Sequence, residues 1–279
     1  MLRAPSDTLL LGAVAYDPKV VTIWEGFRLW FAERGLDFDF VLYSNYERQV
    51  AAHLNGEVHV AWNSPLAWIE ARRAALARGI ACETVAMRDT DQDLTSLVIV
   101  RADSPYRTVA DLAGARVGVG AGDSPQATLL PLHWLAAQGV TVEARRFDVL
   151  VGKHGDHVGG ERDAARALMR GEVDACCLID GNHAAFTKEG TFPLGAVRVL
   201  GQTGAYDHCN MTVLGDGHPE MGRFVELLMS MSWDDPAVRP LLEMEGLREW
   251  RPGRVEGYVA LEAAVERFGT IDAFLADVG

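Results

Sequence analysis

Short apolar runs alternate along this sequence with longer stretches whose apolar residues recur at helical spacing. Leu9–Ala15 is the first run, unbroken as a parallel strand covered on both faces should be. Val20, Val21, Trp24, Phe27 and Phe31 follow at helical spacing and stop at Gly35. Phe38–Tyr43 predicts the next strand. Ser44-Asn45-Tyr46-Glu47 reads as a capping box, with the Ser44 hydroxyl accepting from the third helical N–H and Glu47 reaching back. That helix ends at Asn55-Gly56, Val58–Trp62 predicts a third strand, and Ser64-Pro65 opens a third helix that Gly79 stops. Strands alternating with helices at this pitch specify an α/β fold with a largely parallel sheet.

The second half repeats the pattern. Ala115–Gly120 predicts a strand, and Ser124-Pro125 opens a helix running to about Gln138-Gly139. Arg145–Val151 reads as a strand, Asp163–Met169 as a helix and Asp174–Ile179 as another strand. Leu54-Asn-Gly-Glu-Val-His-Val-Ala-Trp62 and Met169-Arg-Gly-Glu-Val-Asp-Ala-Cys-Cys177 echo each other. Each is a helix end, a Gly at the left-handed cap and then a buried strand, which suggests two lobes built alike. The β-rich runs Leu94–Arg101 and Asn210–Leu214 read as paired crossover strands between them. Lobe one is then expected over residues 1–99 and 209–279, and lobe two over 100–208. Trp250, Tyr258, Leu261 and Val265, in a mainly helical C-terminal part, are expected to pack back on lobe one.

Composition narrows the class. At 49% apolar and 23% charged the chain is globular, and a net charge of −13 disfavours nucleic acid and anionic membranes as partners. A local field can still favour a small anion. Cys176 and Cys177 are adjacent and point to opposite faces of a strand, so they make a poor disulfide. Buried free thiols suit a reducing compartment. Asp7 before the first apolar run and Tyr16-Asp17-Pro18 after it favour a strand over a signal peptide. A cytoplasmic protein is expected on that reading, or an exported one if a leader precedes the sequence. No stretch is long enough to span a bilayer.

Candidate chemistry gathers where strands end. Asp17-Pro18, Ser64-Pro65 and Ser124-Pro125 each place Pro after a capping residue at a helix start, where its missing N–H costs nothing. The remaining free N–H groups carry partial positive charge, and ligands of open α/β sheets bind beyond the carboxyl ends of strands. Gly118-Val-Gly-Ala-Gly122 has the wrong spacing for a dinucleotide fingerprint. Arg88-Asp89-Thr90-Asp91-Gln92-Asp93 lacks the Gly and distal Glu of a calcium loop, and reads as a turn beside the crossover. Cys176, Cys177 and Cys209 show no evident base partner for nucleophilic chemistry.

One resemblance is specific. The stretch from Tyr46 through Ala52-His53-Leu54-Asn55-Gly56-Glu57-Val58-His59-Val60-Ala61-Trp62-Asn63-Ser64-Pro65-Leu66-Ala67-Trp68 resembles the first-lobe signature of phosphonate- and phosphate-type solute-binding proteins of ABC importers. Ser96-Leu-Val-Ile-Val-Arg-Ala-Asp-Ser104, Val109-Ala-Asp-Leu-Ala-Gly-Ala-Arg-Val-Gly118 and Asp163-Ala-Ala-Arg-Ala-Leu-Met-Arg-Gly-Glu-Val-Asp174 are similar to further parts of that family. The resemblance implies a type 2 periplasmic-binding-protein fold, two similar lobes, each a mostly parallel sheet flanked by helices, joined by two crossover strands around a ligand cleft. It implies an ABC importer as partner. Two departures matter. The family's second-lobe helix start is rich in Ser, Thr and Gly, whereas Asp123 and Gln126 here argue against a plain phosphonate; and Arg162 stands where the family tends to carry a cleft His.

The segment Lys153-His154-Gly155-Asp156-His157-Val158-Gly159-Gly160-Glu161-Arg162-Asp163 leaves three readings open. It is a ligand-binding loop with Lys153, His157 and Arg162 facing an anion, a merely solvated loop, or a metal site of His154, Asp156 and His157 completed by His208 or Cys209. No metal or cofactor is expected to be required. The expected ligand contacts are Tyr16, Asn63 and Ser64 from lobe one, with Ser124, Gln126, Thr128, His157, Arg162, Asp180 and Asn182 from lobe two. Asp180-Gly181-Asn182 ends a buried strand as Asn63-Ser64 does; Asp180 could equally be a simple helix cap. The expected function is binding of a small anionic or zwitterionic metabolite without turnover. The alternative is a cytosolic enzyme on the same scaffold, metal-assisted through the His154-Asp156-His157 loop.

Overall fold

The computed structural model describes residues 7–148 and 157–269. In chain order the regular elements are β1 (Leu9–Val14), α1 (Lys19–Glu33), β2 (Phe38–Tyr43), α2 (Tyr46–Leu54), β3 (Val60–Asn63), α3 (Pro65–Ala77), β4 (Cys82–Arg88) and β5 (Ser96–Arg101). They continue with β6 (Arg116–Val119), α4 (Leu130–Ala137), β7 (Glu143–Arg146), α5 (His157–Arg170), β8 (Ala175–Ile179), α6 (Asp180–Glu189) and β9 (Val197–Gln202). The chain ends with β10 (Asn210–Leu214), α7 (Met221–Ser230), α8 (Arg239–Glu245), β11 (Trp250–Pro252) and α9 (Val259–Phe268).

Two compact units result. The described parts of Met1–Gln92 and Asp207–Gly257 form the first, and those of Asp93–Tyr206 and Tyr258–Gly279 the second. The first holds a sheet of order β11-β4-β10-β3-β1-β2 and the second one of order β7-β6-β8-β5-β9. In each, the consecutive strand–helix–strand part is parallel: β2 and β3 flank β1, and β7 and β8 flank β6. The remaining pairs are antiparallel, so both sheets are mixed rather than mostly parallel.

Two readings of the sequence are revised here. Leu94–Arg101 and Asn210–Leu214 do not pair with each other: β5 lies between β8 and β9, and β10 between β3 and β4. Leu94 and Tyr206 form an antiparallel bridge between the two connecting segments. Each run is apolar enough to be taken up as an inner strand of its own sheet. The C-terminal segment also divides. Trp250 joins the core of the first unit, whereas Tyr258 and α9, with Leu261 and Val265, belong to the second, where α9 packs on α4. Residues 93–99, expected in lobe one, likewise fall in the second unit.

The inner strands β1 and β8 are covered on both faces, as their apolar runs require. Leu9, Leu11 and Ala13 of β1 pack with Trp24, Phe27 and Phe31 of α1 and with Phe224 and Leu228 of α7, while Val14 joins Tyr46 and Val50 of α2 and Ala67 and Ala71 of α3 on the other side. In β8, Cys176 and Leu178 face one cluster, Ala175 and Cys177 the opposite one, and all four cysteines of the chain are free. The echo between the two halves is real in three dimensions: Gly56 and Gly171 take φ of 71° and 74° at equivalent helix ends, a backbone region costly for side chains with a Cβ.

Candidate functional site

The polar groups of the first unit concentrate where β1, β3 and β4 end. Ser64 accepts from the Ala67 N–H at 3.3 Å with Pro65 behind it, as expected for a capped helix start. Asn45, not Ser44, caps α2, because its Oδ1 accepts from the Arg48 N–H at 2.9 Å. At Asp17-Pro18 the Asp17 carboxylate accepts from the Lys19 N–H at 2.8 Å, and Pro18 itself is the residue before the helix.

Asn63 is fully buried and both ends of its amide are engaged. Gln49 Nε2 donates to its Oδ1 at 2.8 Å, and its Nδ2 donates to Thr212 Oγ1 at 2.9 Å. It ties α2, β3 and β10 together behind the strand end.

An ion-pair network that sequence spacing did not reveal lies beside it. Arg88, the last residue of β4, donates from Nε and Nη2 to the two oxygens of Asp91 and from Nη1 to the Glu245 carbonyl at 2.7 Å. The Glu245 carboxylate is 3.5 Å from the same Nη1, and the guanidinium stacks 5.1 Å over the Trp62 ring. Burial alone would raise the Asp91 carboxyl, but Arg88 prevails and holds it at about 2. Glu245 has less help: burial pushes it to about 7 against the pull of Arg88. Tyr16, whose ring is exposed, has its hydroxyl pushed up to about 12 by desolvation first and Glu245 second.

His208 and Cys209 join this network. The His208 Nδ1 is 3.1 Å from Cys209 Sγ and 3.5 Å from Asp91 Oδ1, so the cysteine does have an imidazole neighbour. Burial and then Asp91 raise that thiol well above its usual range, which opposes a thiolate nucleophile. Asp91, His208 and Cys209 place one donor atom each within 4.8 Å, yet both Asp91 oxygens already accept from Arg88. A cation there would have to displace a guanidinium. His154 and Asp156, the other expected ligands, lie outside the described residues, as does Lys153.

The second unit builds its polar end from β6, β8 and α5. Ser124 accepts from the Ala127 N–H at 3.2 Å, and the turn it starts, Pro125–Leu129, is π-helical before α4 begins. Thr128 Oγ1 donates to the Ala121 carbonyl at 2.8 Å. Both hydroxyls are buried and secure the turn. Gln126 is buried on the same turn; its carbonyl accepts from Ser96 Oγ, while its side-chain Oε1 has no hydrogen-bond partner among the described residues.

His157 is the first residue of α5 rather than part of a loop, and its Nε2 lies 3.4 Å from Oδ1 of the buried Asp123. One turn on, Gly160 lets the helix approach the end of β6 closely: a Cβ on Gly160 would stand 2.5 Å from the Phe147 carbonyl oxygen. That approach sets the rotation of α5. It buries Glu161 completely and leaves Arg162 half-buried, paired with Glu189 at 2.8 Å and lying over the Phe186 ring. Arg162, expected to face the ligand, is held by Glu189, and the neighbouring Glu161 is the residue turned inward.

Glu161 Oε2 accepts from the Ile179 N–H at 3.0 Å and from Asn182 Nδ2 at 2.8 Å. Its Oε1 has no hydrogen-bond partner among the described residues. Burial raises its pKa, opposed by Asn182, the Ile179 N–H, the Gln126 amide and His157. Asp180 accepts from Thr95 Oγ1 at 2.8 Å and from the Gly181 N–H, and it begins α6 without capping it.

Residues 13–258 match the family model described as the phosphonate periplasmic substrate-binding protein of an ABC transporter. Similar solved structures include PhnD1 from Prochlorococcus marinus in complex with methylphosphonate, at 15% identity and TM-score 0.66, over 94% of this chain and 98% of that one. XAC2383 from Xanthomonas citri bound to ATP is 17% identical with TM-score 0.68 over the same shares. The periplasmic aliphatic sulphonate binding protein SsuA from Escherichia coli is 16% identical with TM-score 0.56, over 94% of this chain and 87% of that one. No curated protein matches this sequence.

Proposed function

This chain belongs to the family of phosphonate periplasmic substrate-binding proteins of ABC transporters, and from that premise we propose that it captures one small polar solute, anionic or zwitterionic, and releases it unchanged. The observation that carries the reading is the gathering of Asp123, Gln126, His157 and Glu161 at the carboxyl ends of β6 and β8, the place where α/β sheets take ligands. The proposed ligand contacts are Tyr16 and Ser64 in the first unit and Gln126, His157, Asp180 and Asn182 in the second. Asn63 acts behind them by tying α2, β3 and β10 together, Ser124 and Thr128 by fixing a turn, and Arg162 is set aside because Glu189 holds its guanidinium.

The proposed acceptor of the solute is an ABC importer, and the proposed place of action is outside the cytoplasmic membrane, as for the family. Among the described residues no helix is long and apolar enough to cross a membrane. An oxidising compartment is compatible with the free thiols, since Cys176 and Cys177 sit on opposite faces of β8 and cannot reach each other.

A thermal-shift screen of phosphonates, sulfonates, phosphate and amino acids, followed by mass analysis of every hit, tests the proposal. The expected outcome is a ligand that raises the melting temperature and is recovered intact. At a hundredfold excess over Kd the stabilisation is about 2.7 kcal/mol. A ligand recovered as a different compound would overturn the reading in favour of an enzyme.

A further inference from the structure

The second unit places hydrogen-bond acceptors where an anion-binding helix start would place donors. Glu161 is 0% exposed, and its Oε2 is oriented by the Ile179 N–H and Asn182 while its Oε1 has no donor among the described residues. Gln126, 6% exposed, lies against that carboxyl and also carries an Oε1 with no donor among the described residues. Asp123, 3% exposed, brings a second carboxylate to the same strand end beside His157. Glu161 has no ion pair among the described residues, unlike Asp91 of the first unit with its guanidinium partner. Of the hydroxyls on this turn, Thr128 donates its proton to the Ala121 carbonyl, while Ser124 accepts from the Ala127 N–H.

The two buried oxygens that have no donor among the described residues, Glu161 Oε1 and Gln126 Oε1, call for a ligand group that only donates and carries positive charge. An alkylammonium has three donors and no acceptor, whereas every oxygen of a phosphonate, phosphate or sulfonate accepts and is negative. Desolvating an oxyanion against a buried carboxylate is unfavourable on both counts, whereas an ammonium supplies an ion pair that Glu161 does not have among the described residues. Resting on the solute-binding reading above, we propose that the second unit receives a protonated amine of the solute, held by Glu161 with Asp123 and Gln126, so that the ligand is a zwitterion and not a bare oxyanion.

The test is titration calorimetry with pairs of probes differing only in the amine: ethylphosphonate and 2-aminoethylphosphonate, ethanesulfonate and 2-aminoethanesulfonate, propanoate and 3-aminopropanoate. In the wild type the amine of at least one pair is expected to tighten binding ten- to a hundredfold. Glu161→Gln keeps the shape and is expected to cut that gain to threefold or less, leaving the amine-free member bound as before or more tightly. Asp123→Asn is expected to shrink the same gain by a smaller factor, and melting curves establish that both variants fold. An amine-free probe that binds the wild type as well as its partner would overturn the inference while leaving the solute-binding reading intact. So would an amine preference that survives both substitutions, since Glu161 would then serve only to tie α5 to β8. Failure of all six probes to bind would count against the solute-binding reading itself for these ligand classes.

Discussion

In the first unit a half-buried guanidinium, Arg88, sits between two buried carboxylates, Asp91 and Glu245; in the second a buried carboxylate, Glu161, accepts from the Ile179 N–H and Asn182 and has no ion pair among the described residues. The two units share the same strand–helix grammar, the same left-handed glycine before the central strand and a serine cap followed by proline. What differs is how charge is balanced inside. The first network is closed upon itself, with each Arg88 nitrogen assigned to a protein acceptor. The second keeps one carboxylate oxygen and one amide oxygen without a donor among the described residues. A closed network belongs to the architecture; an open one leaves something for a ligand to complete.

Substitution should separate the two cases. Replacing Arg88 by Met leaves Asp91 and Glu245 buried without their cation, and the expected loss of stability is about 3–5 kcal/mol, read from chemical denaturation. Glu161→Gln removes a buried carboxylate that has no ion pair among the described residues, keeps an acceptor for the Ile179 N–H, and is expected to stay within about 1 kcal/mol of the wild type. A large loss from Glu161→Gln and a small one from Arg88→Met would reverse the comparison.

The pH dependence of stability sharpens it further. Glu245 is raised from an ordinary carboxylate value to about 7 in the folded state, so the folded protein binds its proton more tightly than the unfolded chain does. Its contribution is fully present below pH 4.5 and is lost as pH rises through 7, by on the order of 3 kcal/mol. Asp91, held at about 2, acts in the opposite sense: its contribution is present above pH 4 and lost as pH falls through 2. Denaturation at pH 5 and pH 8 should show the wild type weaker at the higher value, and Glu245→Gln should flatten that difference. A wild type equally stable at both values, with Glu245→Gln changing nothing, would remove Glu245 from the network's energetics.

The smallest effect is expected at Arg162. Its pair with Glu189 is partly exposed, so Arg162→Ala should cost less than about 1 kcal/mol and leave ligand affinity unchanged. Calorimetry on this variant, beside Glu161→Gln, asks which of two neighbouring residues faces the ligand. A tenfold loss of affinity on Arg162→Ala would restore the orientation that the sequence suggested.

Much of the fold was legible in one dimension because it rests on local signals. Apolar runs bounded by Gly, Pro and capping residues located β1, β2, β3, β6 and β8 to within a residue or two, and the helix starts at Ser64 and Ser124 held. Helix starts without so clear a cap were less legible. Ser44 and Asn45 offer the same chemistry one residue apart, and α5 begins at His157, well before its apolar periodicity becomes plain.

The candidate site was legible only in part. Gln126, His157, Asp180 and Asn182 do lie near strand ends, but Arg88, Asp91 and Glu245 were hidden because the network joins positions 157 residues apart along the chain. Glu161 was missed for a different reason. The sequence puts Glu161 and Arg162 side by side at the start of a helix, and successive residues there point about 100° apart. Which of them turns inward depends on the rotation of α5, set by the contact of Gly160 with the backbone at Phe147. Periodicity and capping determined the elements and their order, since those depend on neighbours along the chain. The pairing of β5 and β10, the unit that takes α9, and the inward turn of Glu161 were decided by tertiary packing, which brings together groups whose separation in sequence carries no signal of their contact.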